Sequence, residues 1–145
     1  MKGFKKYITE NEAVDKTLEK LPAAHRKLAA GYKFQFEGGN TLDGHEKHVG
    51  MVTTGKKVIR VAAPWNYGRE FTVLHEIAHL VYEKFVRGTD LEGKWKTVAN
   101  SVKANKKGEP PEELFCHAYA SAYCKNPVVQ WHHPNWVKFI KNSLS

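Results

Sequence analysis

Hydrophobic residues in the first half of the chain predict two helices followed by three strands. The pattern is helical at residues 9–20 and again at 23–30. Aromatic and polar residues alternate at 32–36, as they do on a strand with one buried face. Residues 51–54 and 57–63 predict two further strands joined by a tight turn, with 57–63 at the exposed edge of the sheet.

The second half of the chain has the apolar spacing of helices. The clearest helix is predicted over 69–86, where five apolar residues recur at intervals of three and four: Phe71, Leu74, Ala78, Val81 and Phe85. Further helices are expected at 95–103, 111–125 and 136–143. The fold class that follows is α+β, a single domain over residues 1–145. A small mixed sheet packs on the 69–86 helix, and further helices lie at both ends.

The composition indicates which class of protein this is and where we expect it to be located. Hydrophobic residues make up 41% of the chain, as in ordinary globular proteins, and no run approaches the roughly 20 apolar residues of a membrane span. The N-terminus lacks the apolar core of a signal peptide, so we expect a cytoplasmic protein. Carriage in a virus particle or export by a specialised route stays open. Cys116 and Cys124 are expected to be free thiols, because eight helical residues separate them by about 12 Å.

The chain is basic, with a net charge of +8 at pH 7. Such a charge attracts nucleic acids or acidic partners, but the lysines are spread along the chain and no nucleic-acid-binding motif accompanies them. The sequence therefore leaves nucleic-acid binding open but does not indicate it. The four tryptophans are expected to pack in the core. Oligomeric state does not follow from the sequence.

Residues 75–79, HEIAH, carry the candidate chemistry. Positions i and i+4 lie on one face of a helix, so His75 and His79 can both reach one zinc ion at about 2.0–2.1 Å. Glu76 is rotated about 100° from His75 and is expected to serve as the catalytic base toward a water molecule. A chance match to this pattern has a probability on the order of a few per cent. Its place inside an amphipathic helix argues against chance.

A catalytic zinc ion needs a third protein ligand and an open fourth position. A third histidine six residues after His79 would indicate a metzincin, but that position holds Phe85, which excludes the class. The helix at 111–125 offers Glu113, with Glu112 as the alternative on a different face. His117 lies one helical turn after Glu113 and faces the same way.

These segments resemble a known family. RVAAPWNYGREFTVLHEIAHLVYE, PEELFCHAYASAYCKNP and WVKFIKNSL are similar to the catalytic domain of anthrax toxin lethal factor and its relatives. That family consists of gluzincin zinc metallopeptidases with a zincin-like fold, and it includes phage and mobile-element proteins. The resemblance extends from about residue 50 to the end. Residues 113–119 match the motif that holds the family's third ligand, which implies Glu113 as the ligand and not Glu112.

The chain departs from the family pattern at two positions. The family has an acidic residue at the position of His117, where it supports a ligand histidine. His117 is accordingly expected to make a hydrogen bond near the metal or to serve as a fourth ligand. The family also has a tyrosine seven residues before the glutamate ligand, where it stabilises the oxyanion. This chain has Lys106 there, and Lys106, Tyr67, Tyr119 and His117 stay open for that task.

The expected function is zinc-dependent hydrolysis of peptide bonds, with one zinc ion held by His75, His79 and Glu113 and with Glu76 as base. The substrate is a protein or peptide, whose strand is expected to pair with the exposed edge of the sheet. A peptidase dedicated to one repressor, of the kind that mobile elements encode, would use the same chemistry. The alternative from another class is a zinc-stabilised basic protein that binds nucleic acid or an acidic partner with little or no catalysis.

Overall fold

The computed structural model describes residues 10–38, 42–44, 48, 50–62, 68–100, 109–124 and 133–144. These residues form six α-helices and three strands, which confirms the α+β class. In chain order the elements are α1 (Glu10–Glu19), α2 (Ala23–Ala30), β1 (Lys33–Phe36), β2 (Gly50–Thr53), β3 (Val58–Val61), α3 (Gly68–Val81), α4 (Asp90–Asn100), α5 (Pro111–Tyr123) and α6 (Pro134–Ser143). Among the described residues, no helix is both long and apolar enough to cross a membrane.

The three strands form one mixed sheet in the order β1–β3–β2. β3 pairs parallel with β1 and antiparallel with β2, so it is the central strand. The prediction that 57–63 forms the exposed edge is therefore wrong. Residues 54–57 reverse the chain between β2 and β3 as predicted, but β1 then occupies the far side of β3. The edge strand that packs on α3 is β2.

The helix predicted over 69–86 is continuous, but it changes from α-helical to π-helical winding near its end. α3 extends to Val81, and residues Tyr82–Val86 continue it as a π-helical turn. The predicted apolar stripe faces the core, with Leu74, Ala78 and Val81 fully buried. Gly88 ends the helix in a left-handed conformation, with φ 74°, that favours glycine.

α5 is a largely buried helix that lies against α3, α4 and α6. Eight of its thirteen residues are buried, so it carries little of the apolar asymmetry that marks a surface helix. Its start is held by α4, since the indole Nε1 of Trp95 donates a hydrogen bond to the carbonyl of Pro111 at 2.7 Å. This contact holds the first turn of α5 against its neighbours.

The structure also tests the predictions about the tryptophans, the cysteines and the start of α4. Trp95 and Trp136 are fully buried, which confirms their expected place in the core, and both cysteines are free thiols. The helix expected at 95–103 begins earlier, at Asp90. Thr89 explains the shift, because its hydroxyl accepts a hydrogen bond from the backbone N–H of Leu91 in the manner of a helix cap.

Candidate metal centre

α3 and α5 bring the predicted ligands to one point. The Nε2 atom of His75 lies 3.2 Å from one carboxylate oxygen of Glu113, and the Nε2 atom of His79 lies 3.3 Å from the other oxygen. The two histidines come from successive turns of α3, and the carboxylate comes from the first turn of α5. A single carboxylate therefore faces both imidazoles.

These separations suit a shared cation. Two ligand atoms bonded to a tetrahedral ion at about 2.0–2.1 Å lie about 3.3–3.4 Å apart. The Nε2 atom of His75 is buried and makes no hydrogen bond, although a carboxylate oxygen lies 3.2 Å away. A buried nitrogen left without a hydrogen bond is costly, and a metal ion between these groups would satisfy it. Two groups of side chains each lie close enough together to hold a metal ion: His75, His79 and Cys116 form one, and His75, Glu113 and His117 form the other.

The other ring nitrogens of both histidines contact carboxylates. The Nδ1 atom of His75 lies 3.1 Å from Oε2 of Glu76, and the Nδ1 atom of His79 lies 2.8 Å from Oε2 of Glu112. Each imidazole is thus held on its Nδ1 side, with Nε2 toward Glu113. Such contacts orient ligand histidines in metal sites.

Glu76 lies in a tight space beside the edge strand. Its side chain is only 7% exposed, and its carboxylate borders the cleft while contacting His75. A Cβ atom added at Gly50 would lie 2.7 Å from Oε2 of Glu76 and 2.8 Å from its Cγ. Only glycine at position 50 leaves the side chain of Glu76 where it is.

His117 lies beside the centre. Its ring centroid is 4.8 Å from that of His75, its ring stacks on Phe71, and its Nε2 atom is 3.6 Å from a carboxylate oxygen of Glu109. Burial lowers its pKa to about 4, with the charge of His75 acting in the same direction. His117 is therefore a neutral imidazole at pH 7 on the wall of the cleft.

Tyr119 has a different environment. It is fully buried, does not line the cleft, and its hydroxyl lies 2.9 Å from Nδ1 of His25. Burial raises the pKa of its phenol far above the ordinary value. The other two predicted oxyanion candidates, Tyr67 and Lys106, lie outside the described residues.

Two residues near the site were not predicted from the sequence. Cys116 is fully buried, with its sulfur within 4.8 Å of ligand nitrogens of His75 and His79. Cys116 follows Glu113 by three residues on α5. Residues at this spacing lie on the same helix face, so the sequence could have indicated that Cys116 lies near the site. Tyr32 lines the cleft, although its alternation with polar residues indicated only a strand.

The candidate ligands open onto a cleft of about 920 Å³. Its lining includes the apolar residues Leu28, Tyr32, Met51 and Val52 and the acidic residues Glu83 and Glu109. An ion at the ligands would therefore be reachable from solvent and from an extended ligand.

Charges within the centre shift its pKa values strongly. Burial lowers the pKa of His75, but the carboxylates of Glu113 and Glu76 outweigh it and raise that pKa to about 9. Burial also lowers the pKa of His79, but the carboxylates of Glu113 and Glu112 outweigh burial and raise it. The adjacent imidazoles of His75 and His79 hold the pKa of Glu113 well below its usual range. In the metal-free protein, protons on the two imidazoles therefore supply the positive charge that a metal ion would supply.

No family model, curated protein or solved structure matches this chain. The resemblance noted from the motifs stays a prediction.

Metal affinity should rise with pH in the neutral range. A cation must displace the proton that His75 holds below its pKa of about 9, whereas His117, with a pKa of about 4, is already neutral. Each displaced proton weakens apparent affinity about tenfold per pH unit below that pKa. Competition titrations with Zn²⁺ between pH 6.5 and 8.5 and calorimetry in buffers of different ionisation enthalpy would measure both effects. Affinity independent of pH, with no proton released, would contradict the arrangement.

Gly50→Ala should displace the side chain of Glu76 and lower the pKa of His75. The added methyl group would overlap Glu76, whose carboxylate helps to keep His75 protonated. NMR titration of the metal-free protein measures this pKa directly. Gly55→Ala is the matched control, since a Cβ atom there meets nothing within 4 Å. Equal His75 pKa values in both variants would show that Gly50 does not position Glu76.

Proposed function

We propose that this protein is a zinc-dependent metallopeptidase with a zincin-like site of the gluzincin type. The observation that carries the proposal is the convergence of His75 Nε2 and His79 Nε2 on the two oxygens of Glu113, at 3.2 and 3.3 Å. Two imidazoles and one carboxylate form the ligand set of a catalytic zinc ion, which keeps an open fourth position. The cleft beside them provides that opening.

Zinc bound there would lower the pKa of a water molecule and polarise the substrate carbonyl. Glu76 would accept the proton of that water and deliver it to the leaving amine. Its carboxylate rests against Nδ1 of His75, so it must turn by side-chain rotation toward the water. Gly50 leaves the space in which this side chain lies.

The edge strand β2 is suited to hold an extended peptide. It pairs with β3 on one side, and Gly50, Met51 and Val52 line the cleft beside the candidate ligands. A substrate strand that adds to β2 would gain backbone hydrogen bonds and pass directly over His75 and Glu76. The proposed substrate is therefore a protein segment or peptide in extended conformation.

Among the residues predicted to stabilise the oxyanion, His117 has the best support within the described chain. It lines the cleft next to His75 and is neutral at pH 7, so a ring N–H can donate a hydrogen bond to developing negative charge. Tyr119 instead faces His25.

Cys116 favours a second candidate function. Its sulfur is close enough to His75 and His79 to complete a closed zinc site, which would stabilise a basic binding protein without catalysis. The thiol must ionise to bind metal, and burial together with nearby carboxylates raises its pKa well above the ordinary value. That cost favours the open, catalytic site.

Glu76→Gln should abolish peptide hydrolysis while zinc stays bound. Glutamine keeps an acceptor for His75 Nδ1 but cannot take a proton, and loss of a general base costs about 10²–10⁴-fold in rate. Cleavage of casein and of a mixed peptide library by the zinc-loaded protein would be measured beside zinc content. Glu19→Gln, an exposed carboxylate on α1, is the control for lost charge.

Two results would count against the proposal. Full hydrolysis by Glu76→Gln would remove Glu76 as the base. A wild-type protein that holds zinc but cleaves no substrate would favour the binding protein, and salt-sensitive DNA binding would then support it.

A further inference from the structure

Glu112 lies between a candidate ligand and an arginine. Its Oε2 atom accepts a hydrogen bond from Nδ1 of His79 at 2.8 Å, and its Oε1 atom accepts one from the guanidinium of Arg87. Glu112 contacts the nitrogen of His79 that faces away from Glu113, so it is not placed as a ligand. The adjacent residues Glu112 and Glu113 thus contact opposite nitrogens of the same imidazole.

Arg87 is itself held at several points. Its backbone N–H donates to the carbonyl of Tyr82 at 2.8 Å, the five-residue spacing of a π-helical turn. Its Cζ atom lies 5.2 Å from the centre of the Tyr82 ring, and its Nε atom donates to Glu83. The π-helical turn therefore directs the guanidinium from the end of α3 toward the first turn of α5.

The two histidines are supported in different ways. His75 receives its Nδ1 contact from its own neighbour on α3, Glu76, whereas His79 receives it from the other helix. The side chain of His79 is also more exposed than that of His75, 24% against 14%, so packing restrains it less. Its orientation depends more on a hydrogen-bond partner.

We propose that Glu112 is a positioning residue for His79 and that Arg87 acts through Glu112. The carboxylate keeps the proton of the neutral imidazole on Nδ1 and leaves the lone pair of Nε2 directed at the metal position. The guanidinium fixes the carboxylate by a charge-assisted hydrogen bond. This inference rests on metal binding at His75, His79 and Glu113, but it does not require peptide hydrolysis.

The test is Zn²⁺ affinity, measured by competition with a chromophoric chelator. Glu112→Ala should weaken binding about 10–100-fold, the usual cost of removing such a partner. Arg87→Met should weaken it less, and the double variant should bind no more weakly than Glu112→Ala alone, because Arg87 acts through Glu112. Glu19→Gln, which removes an exposed carboxylate of α1 that does not line the cleft, is the control for lost charge, and its affinity should equal that of wild type.

A spectroscopic readout separates positioning from general loss of structure. In the Co²⁺-substituted protein, Glu112→Ala should change the visible absorption bands, since the orientation of His79 changes, while Glu19→Gln should not. Circular dichroism would show whether Glu112→Ala folds, and if it does not, Arg87→Met carries the same test in a chain that keeps both glutamates.

The outcomes separate the inference from the proposed function. Wild-type affinity and an unchanged Co²⁺ spectrum in Glu112→Ala would overturn the role of Glu112. Additive losses in the double variant would overturn the role of Arg87. A wild-type protein that binds Zn²⁺ but hydrolyses nothing would overturn the peptidase and leave the positioning role standing. Absence of Zn²⁺ binding in wild type would overturn both.

Discussion

The contact between two imidazoles on α3 and one carboxylate on α5 is the constraint on which the rest of the site depends. The Nε2 atoms of His75 and His79 lie 3.2 and 3.3 Å from the carboxylate oxygens of Glu113, which are separations typical of ligands on one ion. Without a cation, burial disfavours a charged His75, but the carboxylates of Glu113 and Glu76 outweigh burial and raise its pKa to about 9. The centre is therefore a place where positive charge is strongly favoured, whether a metal ion or protons supply it.

The surrounding fold serves to keep α3 and α5 in register. α5 is buried among three helices, and Trp95 holds the carbonyl of Pro111, so the first turn of α5 cannot slide along α3. β2 also approaches α3, so closely that a Cβ atom at position 50 would overlap the side chain of Glu76. The helix pair thus holds the candidate ligands, while the edge strand limits the space of the proposed base.

The local periodicity of apolar residues predicted the helices and strands well, but it could not predict the order of the strands in the sheet. The spacing of His75 and His79 sets them on one helix face, and the apolar stripe of α3 predicts its burial, so both follow from sequence alone. The central position of β3 depends on parallel pairing with β1, a long-range contact that no local pattern encodes. Glu112 and Glu113 are neighbours with the same chemistry, and only the packing of α5 on α3 assigns them different contacts on His79. The burial of Tyr119 against His25 likewise depends on the fold.

The most direct test of the account is the metal content of the purified protein, measured by mass spectrometry for wild type, His75→Ala and Glu113→Ala after equilibration with zinc and dialysis. We expect one zinc ion per wild-type chain and almost none in either variant, with all three proteins folded. Equal zinc in all three would contradict the assignment of this centre.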